Sequence, residues 1–574
     1  MSLRIALVTP FSWSQPHDVN DHVAGAAAAL RGRGHHVTVI APSNRRSELL
    51  AGRQALAAGE PAELIAVTGA VPVSRRSQVG VSMGTRASLR HALGLGFDIV
   101  HGFEPGVASI SRLALAEAET LTVATFLSPE RVGLATKQRR DRMRIRVDAL
   151  LATSEAAATA AATRLPGEYR IVPAGVDVGL FQPAEKGQLI GVQLEVGARP
   201  LVRAAIRALD ELPGWELLGI HTKPLSFRPA APARLRGRVH VRSARRESVR
   251  AELLANVAVF VPVPGGHTRL RLEAEAAGCA IVDPPAAEAQ PELVTAALAR
   301  LGEDEALRAR EGARSRAAAA GQSFDALARD LEDVYAQARA KRRPRPESDP
   351  LADREWIVAD LHMHTSWSHD CSIGPSELVA HAEAIGLGAI AITDHNVFDG
   401  AREGVELARG ADLVVIPGEE IKTDSQGEVI GLFLEEEIPR GMSFGDTLAA
   451  IREQGGIVYL PHPFDRMHAI PDPATLHRHL SDIDVFEVYN ARLLRESFND
   501  EAVRFARKYR LLQGAGSDAH VLQGVGTGAL RMRRFEGPEE FLLSLRTAEV
   551  LRRPKSLAYL QGLKWVAQVK EKVR

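Results

Sequence analysis

Between Ile357 and His520 six short apolar runs recur, and polar side chains gather at the downstream end of each. Ile357-Val358-Ala359 leads into Asp360, His362 and His364, Ala389 to Ile392 into Thr393-Asp394-His395-Asn396, and Leu413 to Ile416 into Pro417-Gly418-Glu419-Glu420. Gly456 to Leu460 runs into Pro461-His462-Pro463, Asp484 to Val488 into Tyr489-Asn490, and Leu511-Leu512 on to Ser517-Asp518-Ala519-His520. Between the first two runs Pro375 opens a helix with Leu378, Val379, Ala382 and Ile385 on one face, closed by Gly386. Strands that alternate with helices and deliver polar residues at their C-terminal ends predict a β/α barrel with its site on that face. Side chains alternate along a strand, so His362 and His364 point the same way and can hold one ion.

The order His-x-His, Asp, Asp-His, Glu, His-Pro, Asp-x-His resembles the polymerase and histidinol phosphatase (PHP) family over residues 357–574. That resemblance implies a distorted seven-stranded β/α barrel, written (β/α)7, holding two or three divalent metal ions, Zn, Mn or Fe. Carried over by motif, the ligands are His362, His364, Asp370, His395, Glu420 as a bridging carboxylate, His462, Asp518 and His520. Many relatives carry a histidine where Gly427 is here followed by Glu428. A carboxylate suits a hard or borderline metal, so either the preference shifts toward Mn or Fe or one metal is held weakly. Asp394 is a candidate to orient a ligand ring instead of ligating. His369 competes with Asp370, and His381, His468, His477 and His479 read as surface residues.

The chemistry follows from such a ligand set. Clustered metals acidify a bound water and absorb charge on a phosphoryl oxygen, so the expected reaction is hydrolysis of a phosphomonoester or related small phosphoester by metal-bound hydroxide. Phosphate needs cationic grips as well. Arg466, four residues after His462, and Arg492, two after Asn490, are the candidates, with Lys422 a third.

The first half of the chain is also α/β. Arg4 to Val8 reads as a buried strand, Asp21 to Gly32 as an Ala-rich helix and His36 to Ala41 as the next strand. Strand signals continue at Ile99-Val100, Thr122 to Phe126, Ala149-Leu150-Leu151 and Tyr169 to Val172. A second series follows at Leu189 to Val192, Trp215 to Ile220, Val239 to Val241, Val257 to Val263 and Ala280 to Val282. Two such sheets predict two Rossmann-like lobes, 1–185 and 186–340. Residues 341–356 then form a linker, where Lys341-Arg342-Arg343-Pro344-Arg345-Pro346 breaks the periodicity ahead of the barrel at 357–574.

Arg33-Gly34-His35-His36-Val37, Asp98-Ile99-Val100-His101, Glu104-Pro105, Ser154-Glu155-Ala156 and Val172-Pro173-Ala174-Gly175-Val176-Asp177 resemble a GT-B glycosyltransferase of family 4. Within Leu272 to Gly278 the resemblance makes Glu273 the residue that would bind the ribose of a nucleotide-sugar. Departures from the family are marked. His17-Asp18 stands where a glycine pair is usual, Gly265 where a second glutamate is usual, and the Arg and Lys pair that would meet the diphosphate is absent around Gly191 to Leu201. The lobes are therefore expected to serve binding or scaffolding. The alternative is a nucleotide-sugar-dependent transferase with an accessory hydrolase, and a third reading is an assembly protein with both sites decayed.

At 574 residues the chain exceeds one core. Lys+Arg and Asp+Glu balance at 71 each, so no overall field favours nucleic acid, and a small phosphorylated substrate is the expected partner. Cys279 and Cys371 fit no disulfide framework, which leaves two reduced thiols and predicts a cytoplasmic protein. The N-terminus reads as a strand and not as a signal peptide, and no apolar run reaches the length of a bilayer span.

Overall fold

The structure, a computed structural model, describes residues 2–553 apart from 75–76, 81–84, 108, 130–136, 226, 265–267, 284–289 and 345–347. Gly265 and the linker residues Arg345 and Pro346 therefore lie outside the described residues. The chain divides into two compact units, Met1–Ala338 and Arg339–Arg574. The first unit holds the residues of both predicted Rossmann-like lobes except 339 and 340.

In the first unit the strands are β1 (Arg4–Val8), β2 (His36–Pro42), β3 (Leu64–Thr68), β4 (Ala70–Ser74), β5 (Ser77–Gly80), β6 (Ile99–Phe103), β7 (Leu121–Phe126), β8 (Ala149–Ala152) and β9 (Tyr169–Ile171). All except the β4–β5 hairpin form one parallel sheet in the order β3-β2-β1-β6-β7-β8-β9. β1 carries Ile5, Ala6, Leu7 and Val8 fully buried, because a parallel sheet covered on both faces needs a continuous apolar run. The helix Asp18–Gly32 follows, and Gly34 at φ +88° reverses the chain into β2, a backbone conformation that glycine adopts without strain.

A second parallel sheet holds β10 (Leu189–Gln193), β11 (Glu216–His221), β12 (Val239–Ser243), β13 (Val259–Val261) and β14 (Ala280–Ile281), in the order β12-β11-β10-β13-β14. β13 is shorter than the predicted run from Val257 to Val263. The unit closes with helices Glu305–Ala320 and Phe324–Ala340, separated at Gly321.

Two histidines of this unit, His22 and His101, are buried, and burial pushes each imidazole down to about 3. His101 is held between Tyr335 Oη at 2.8 Å and Thr125 Oγ1 at 2.6 Å. In an unfolded chain both titrate near 6.5, so between pH 3 and 6.5 the unfolded state binds protons that the native state refuses. Stability is then fully present above about pH 6.5 and falls with acidification, by up to about 1.4 kcal/mol per pH unit for each ring. Thermal unfolding followed between pH 7 and 5 should show a falling Tm; a flat profile would overturn this.

In the second unit the strands are β15 (Trp356–Met363), β16 (Ala389–His395), β17 (Val414–Lys422), β18 (Glu428–Leu432), β19 (Ile457–Leu460), β20 (Val485–Asn490), β21 (Leu512–Gly516), β22 (Gly528–Arg533) and β23 (Glu549–Arg552), ordered β21-β20-β19-β18-β17-β16-β15-β22-β23. The seven strands β15 to β21 curl into a nearly closed barrel. Just past β21, Met363 bridges Ala519, with Asp518 N donating to His362 O at 2.7 Å and His364 N to Ala519 O at 3.2 Å. β22 and β23 extend the sheet antiparallel from β15. Ala359, Leu361, Ala389, Ala391, Ile416, Ile430, Tyr459 and Val485 fill the core between them. The start of the predicted linker lies against this unit: Arg342 Nε donates to Lys508 O at 2.7 Å, and Arg343 reaches Asp484 O at 3.1 Å.

Candidate metal centre

The barrel sequence runs parallel except at β18, which pairs antiparallel with β17 and β19. That reversal brings Glu428, the first residue of β18, to the end where the neighbouring strands finish, opposite Lys422. Glu420 lies inside β17, which extends further than the apolar run Leu413 to Ile416 suggested, and pairs in register with His395 at the end of β16. His362 lies in β15, and His364 follows just beyond it. The approach of β21 to β15 requires glycine at 516, where a Cβ would lie 2.3 Å from the Cβ of His362. Three non-glycine residues at this mouth hold left-handed backbone, Asn396 (φ +55°), His462 (φ +26°) and Asp518 (φ +52°). Strain of that kind concentrates where a site dictates side-chain direction.

These placements gather all nine residues expected as ligands. Glu420 sits in the middle, its Oε2 3.3 Å from His362 Nε2, 3.5 Å from His364 Nε2 and 3.1 Å from His395 Nδ1, and its Oε1 3.0 Å from His462 Nε2. Asp518 Oδ1 lies 3.4 Å from His364 Nε2, and Glu428 Oε2 lies 3.8 Å from His462 Nε2. Asp370 reaches His520 Nε2 at 3.0 Å and His395 Nε2 at 3.7 Å. Four overlapping trios have their donor atoms within 4.8 Å of one another: His362–His364–Glu420, His362–His462–Asp518, His364–His395–His520 and His395–Glu420–Glu428.

The electrostatics ask for positive charge here. Burial alone would depress His395 and His462, yet the neighbouring carboxylates, Glu420 above all, raise both to about 9. Burial would lift Glu420, but His362 and His395 hold it well below the usual carboxylate range. Glu420 and burial together raise Glu428. Imidazole nitrogens and carboxylate oxygens that converge in this way, drawing protons onto themselves, form a donor set suited to divalent cations, which would displace those protons. The residues present therefore fit the implied metals.

A buried framework behind them was not foreseen. Glu487 is fully buried; its Oε1 accepts from Tyr459 Oη at 3.0 Å and faces His362 Nδ1 at 3.1 Å, and its Oε2 accepts from His462 N at 2.6 Å and Asn490 Nδ2 at 3.1 Å. Facing Nδ1 of His362, it leaves Nε2 turned to the centre. Asp360 accepts from the backbone N–H of Ser517 and of Gly526, both at 2.9 Å, and burial pushes its carboxyl up to about 6. Asp394, anticipated to orient a ligand ring, bonds instead to hydroxyls, accepting from Thr365 Oγ1 at 2.6 Å and Ser368 Oγ at 2.7 Å, and Ser368 Oγ stands 3.3 Å from His364 Nδ1. Glu487 lies three residues before the polar end of its strand, inside an apolar run, and only its conjunction with Tyr459 and His362 marks it.

The cationic candidates separate. Arg492 lines the pocket with Nη1 3.0 Å from Asp518 Oδ1, and Lys422 lines it too. Arg466 does not belong there: its guanidinium pairs with Glu501 at 2.9 Å and lies over the Phe498 ring, because the chain after His462 turns toward the helix Glu496–Tyr509. His369 and His468, the latter bonded to Asp465 at 2.7 Å, both line the pocket, while His381, His477 and His479 are half-buried rather than surface residues.

In the first unit Glu273 is fully buried and held by arginines. Its oxygens accept from Arg250 Nε at 2.6 Å, Arg250 Nη2 at 2.9 Å and Arg269 Nε at 2.9 Å. Arg250 Nη2 also reaches Asp21 in the helix Asp18–Gly32 at 3.1 Å, and Arg269 reaches Glu247 at 2.5 Å. At the first loop the His17 ring stacks on Phe11 with centroids 3.6 Å apart and accepts from Val19 N at 3.2 Å.

Residues 19–180 match glycosyltransferase family 4, residues 360–494 match the PHP domain, and residues 496–550 match the PHP-associated segment. An uncharacterised protein of Methanocaldococcus jannaschii is 35% identical over 214 residues, which make up 35% of this chain and 85% of that relative. A phosphatidyl-myo-inositol mannosyltransferase of Propionibacterium freudenreichii is 33% identical over 212 residues, 36% of this chain and 50% of the relative. Among solved structures, the glycosyltransferase WaaG, involved in lipopolysaccharide biosynthesis, aligns with 57% of this chain and 99% of its own at 17% identity and a TM-score of 0.39.

Proposed function

Given that the chain belongs to the PHP family through its second unit, with a glycosyltransferase family 4 region ahead of it, we propose that it is a metal-dependent phosphoesterase acting on a small phosphoester. The observation that carries this reading is the convergence on Glu420 of His362, His364, His395 and His462, in a pocket of about 870 Å³ open at the barrel mouth. His362, His364, Asp370, His395, Glu420, Glu428, His462, Asp518 and His520 would hold two or three divalent ions. Such ions, when bound, acidify water and offset charge on a phosphoryl oxygen.

The remaining work falls to the chain. Hydrolysis forms a bond from a water oxygen to phosphorus and breaks the bond to the ester oxygen, which leaves with a proton as the alcohol. Arg492, anchored by Asp518, and Lys422 present positive charge to the phosphate. Glu487 and Ser368 hold His362 and His364 in one orientation, which removes reorganisation from the reaction. Glu428 adds a hard oxygen donor where relatives carry imidazole and favours Mn or Fe over Zn.

Chelation of the purified chain should abolish phosphoester hydrolysis, and return of Mn(II) or Fe(II) should restore it better than Zn(II). Hydrolysis that survives complete metal removal would sink the reading. Nucleotide-sugar transfer is the second reading, favoured by the family 4 match; Arg250 and Arg269 at Glu273 oppose it, since both carboxylate oxygens are already engaged. Calorimetry with nucleotide-sugars should give no heat, and a saturable signal would revive it. Among the described residues no helix is long and apolar enough to cross a membrane, and two buried free thiols, Cys279 and Cys371, support a cytoplasmic setting.

A further inference from the structure

The large apolar side chains most exposed among the described residues of the second unit are Trp367, Ile385, Leu407, Met467 and Leu494. Three of the five, Trp367, Met467 and Leu494, line the pocket of the metal centre. They come from three separate loops, after β15, β19 and β20, so their meeting is a product of the barrel and not of local sequence. Their exposures, 44%, 63% and 69%, leave most of this apolar surface in water beside a charged site. Apolar surface clustered in that way marks a place that an apolar ligand group covers.

Trp367 is also fixed. Its Nε1 donates to Glu403 Oε2 at 3.1 Å, its backbone N–H donates to Thr365 Oγ1 at 3.3 Å, and a Cβ at position 400 would stand 2.9 Å from Cδ1 of the indole, so the ring rests against Gly400. An aromatic plane held at both its edge and its backbone can serve as a platform, at little entropic cost on binding. The cavity of about 870 Å³ falls in the range of sites that hold a whole organic ligand, roughly 300–1,000 Å³, well beyond what a phosphate group fills.

We propose that the phosphoester cleaved here carries an aromatic or otherwise apolar alcohol group, which Trp367, Met467 and Leu494 seat at the pocket mouth while the phosphate faces the metal centre. This rests on the hydrolase reading above. The products of water addition are then inorganic phosphate and an apolar alcohol or phenol. Trp367, Met467 and Leu494 select the substrate and take no part in bond making.

The test compares 1-naphthyl phosphate with glycerol 2-phosphate as substrates of the Mn-loaded full chain, wild type and Trp367→Ala, with Met467→Ser/Leu494→Ser as a second variant. Wild type should favour the naphthyl ester, and each variant should lower the ratio of the two kcat/KM values by about tenfold or more, the scale of a lost apolar pocket contact. A ratio that the variants leave unchanged overturns the proposal. Binding of 1-naphthylphosphonate and methylphosphonate, measured by calorimetry, supplies a readout without turnover. If the wild type hydrolyses neither ester, the hydrolase reading falls, yet tighter binding of the naphthyl compound that Trp367→Ala removes still supports an apolar seat. Equal binding of the two phosphonates overturns it.

Discussion

Glu420→Ala is expected to lower phosphoester hydrolysis by about a thousandfold or more. Its two oxygens face His362, His364, His395 and His462, so one carboxylate meets four of the predicted ligands. Removing it takes away the charge that raises His395 and His462 to about 9 and the oxygens that face their rings. Loss of a metal's charge stabilisation amounts to several kcal/mol, and about 4 kcal/mol corresponds to a thousandfold in rate. Metal content by elemental analysis should fall in parallel. Glu487→Gln gives a graded comparison, because it keeps the shape but puts an amide NH2 among groups that donate to the carboxylate, Tyr459 Oη, His462 N and Asn490 Nδ2; a drop of about 10–100-fold in metal affinity is expected, together with a lowered apo Tm. Wild-type metal content together with wild-type turnover in Glu420→Ala would remove Glu420 from the centre.

Arg250→Ala is expected to destabilise the first unit by up to about 3–5 kcal/mol, the cost of breaking a buried ion pair and leaving Glu273 to Arg269 alone. Arg250 is 5% exposed and Glu273 1%, and Arg250 joins Glu273 to Asp21 on the helix Asp18–Gly32 of the first lobe. Burial opposes the charge on Arg250, but Glu273 and Asp21 raise its pKa regardless. The Tm of that transition should drop by roughly 5–10 °C. Arg250→Met combined with Glu273→Gln should cost less than the sum of the two single changes, since the pair is removed together. An unchanged Tm in Arg250→Ala would mean that the clasp contributes nothing and that Glu273 is open to a ligand.

Local pattern carried most of the architecture. Buried parallel strands must be short apolar runs, so most of them were readable in both units, as were the residues immediately after them, whereas β3, β4, β5, β18, β22 and β23 were not read as strands. Runs alone did not reveal that β17 extends to Lys422, because Glu420 and Lys422 interrupt the apolar signal. β18 itself was not read as a strand, and its reversal would have stayed hidden in any case, since apolar content is the same in either direction. Arg466 shows the limit for single side chains: four residues past His462 says nothing about which way the backbone turns, and Glu501 lies 35 positions further on.

What the sequence by itself determined is the alternation of strand and helix, the division into family 4 and PHP regions, and the nine residues expected to ligate. The alternation follows from neighbours in the chain, whose spacing sets which side chains share a face, while the regions and the expected ligands follow from the family resemblances of short local motifs. Only the tertiary structure decided that Glu487 stands behind His362, that Arg250 and Arg269 occupy Glu273, and that Trp367, Met467 and Leu494 meet at one mouth. Apart from Arg269, which meets Glu273 one helical turn away, each of those joins residues distant in sequence, and the packing of the sheets and helices, not local periodicity, sets the distance between them.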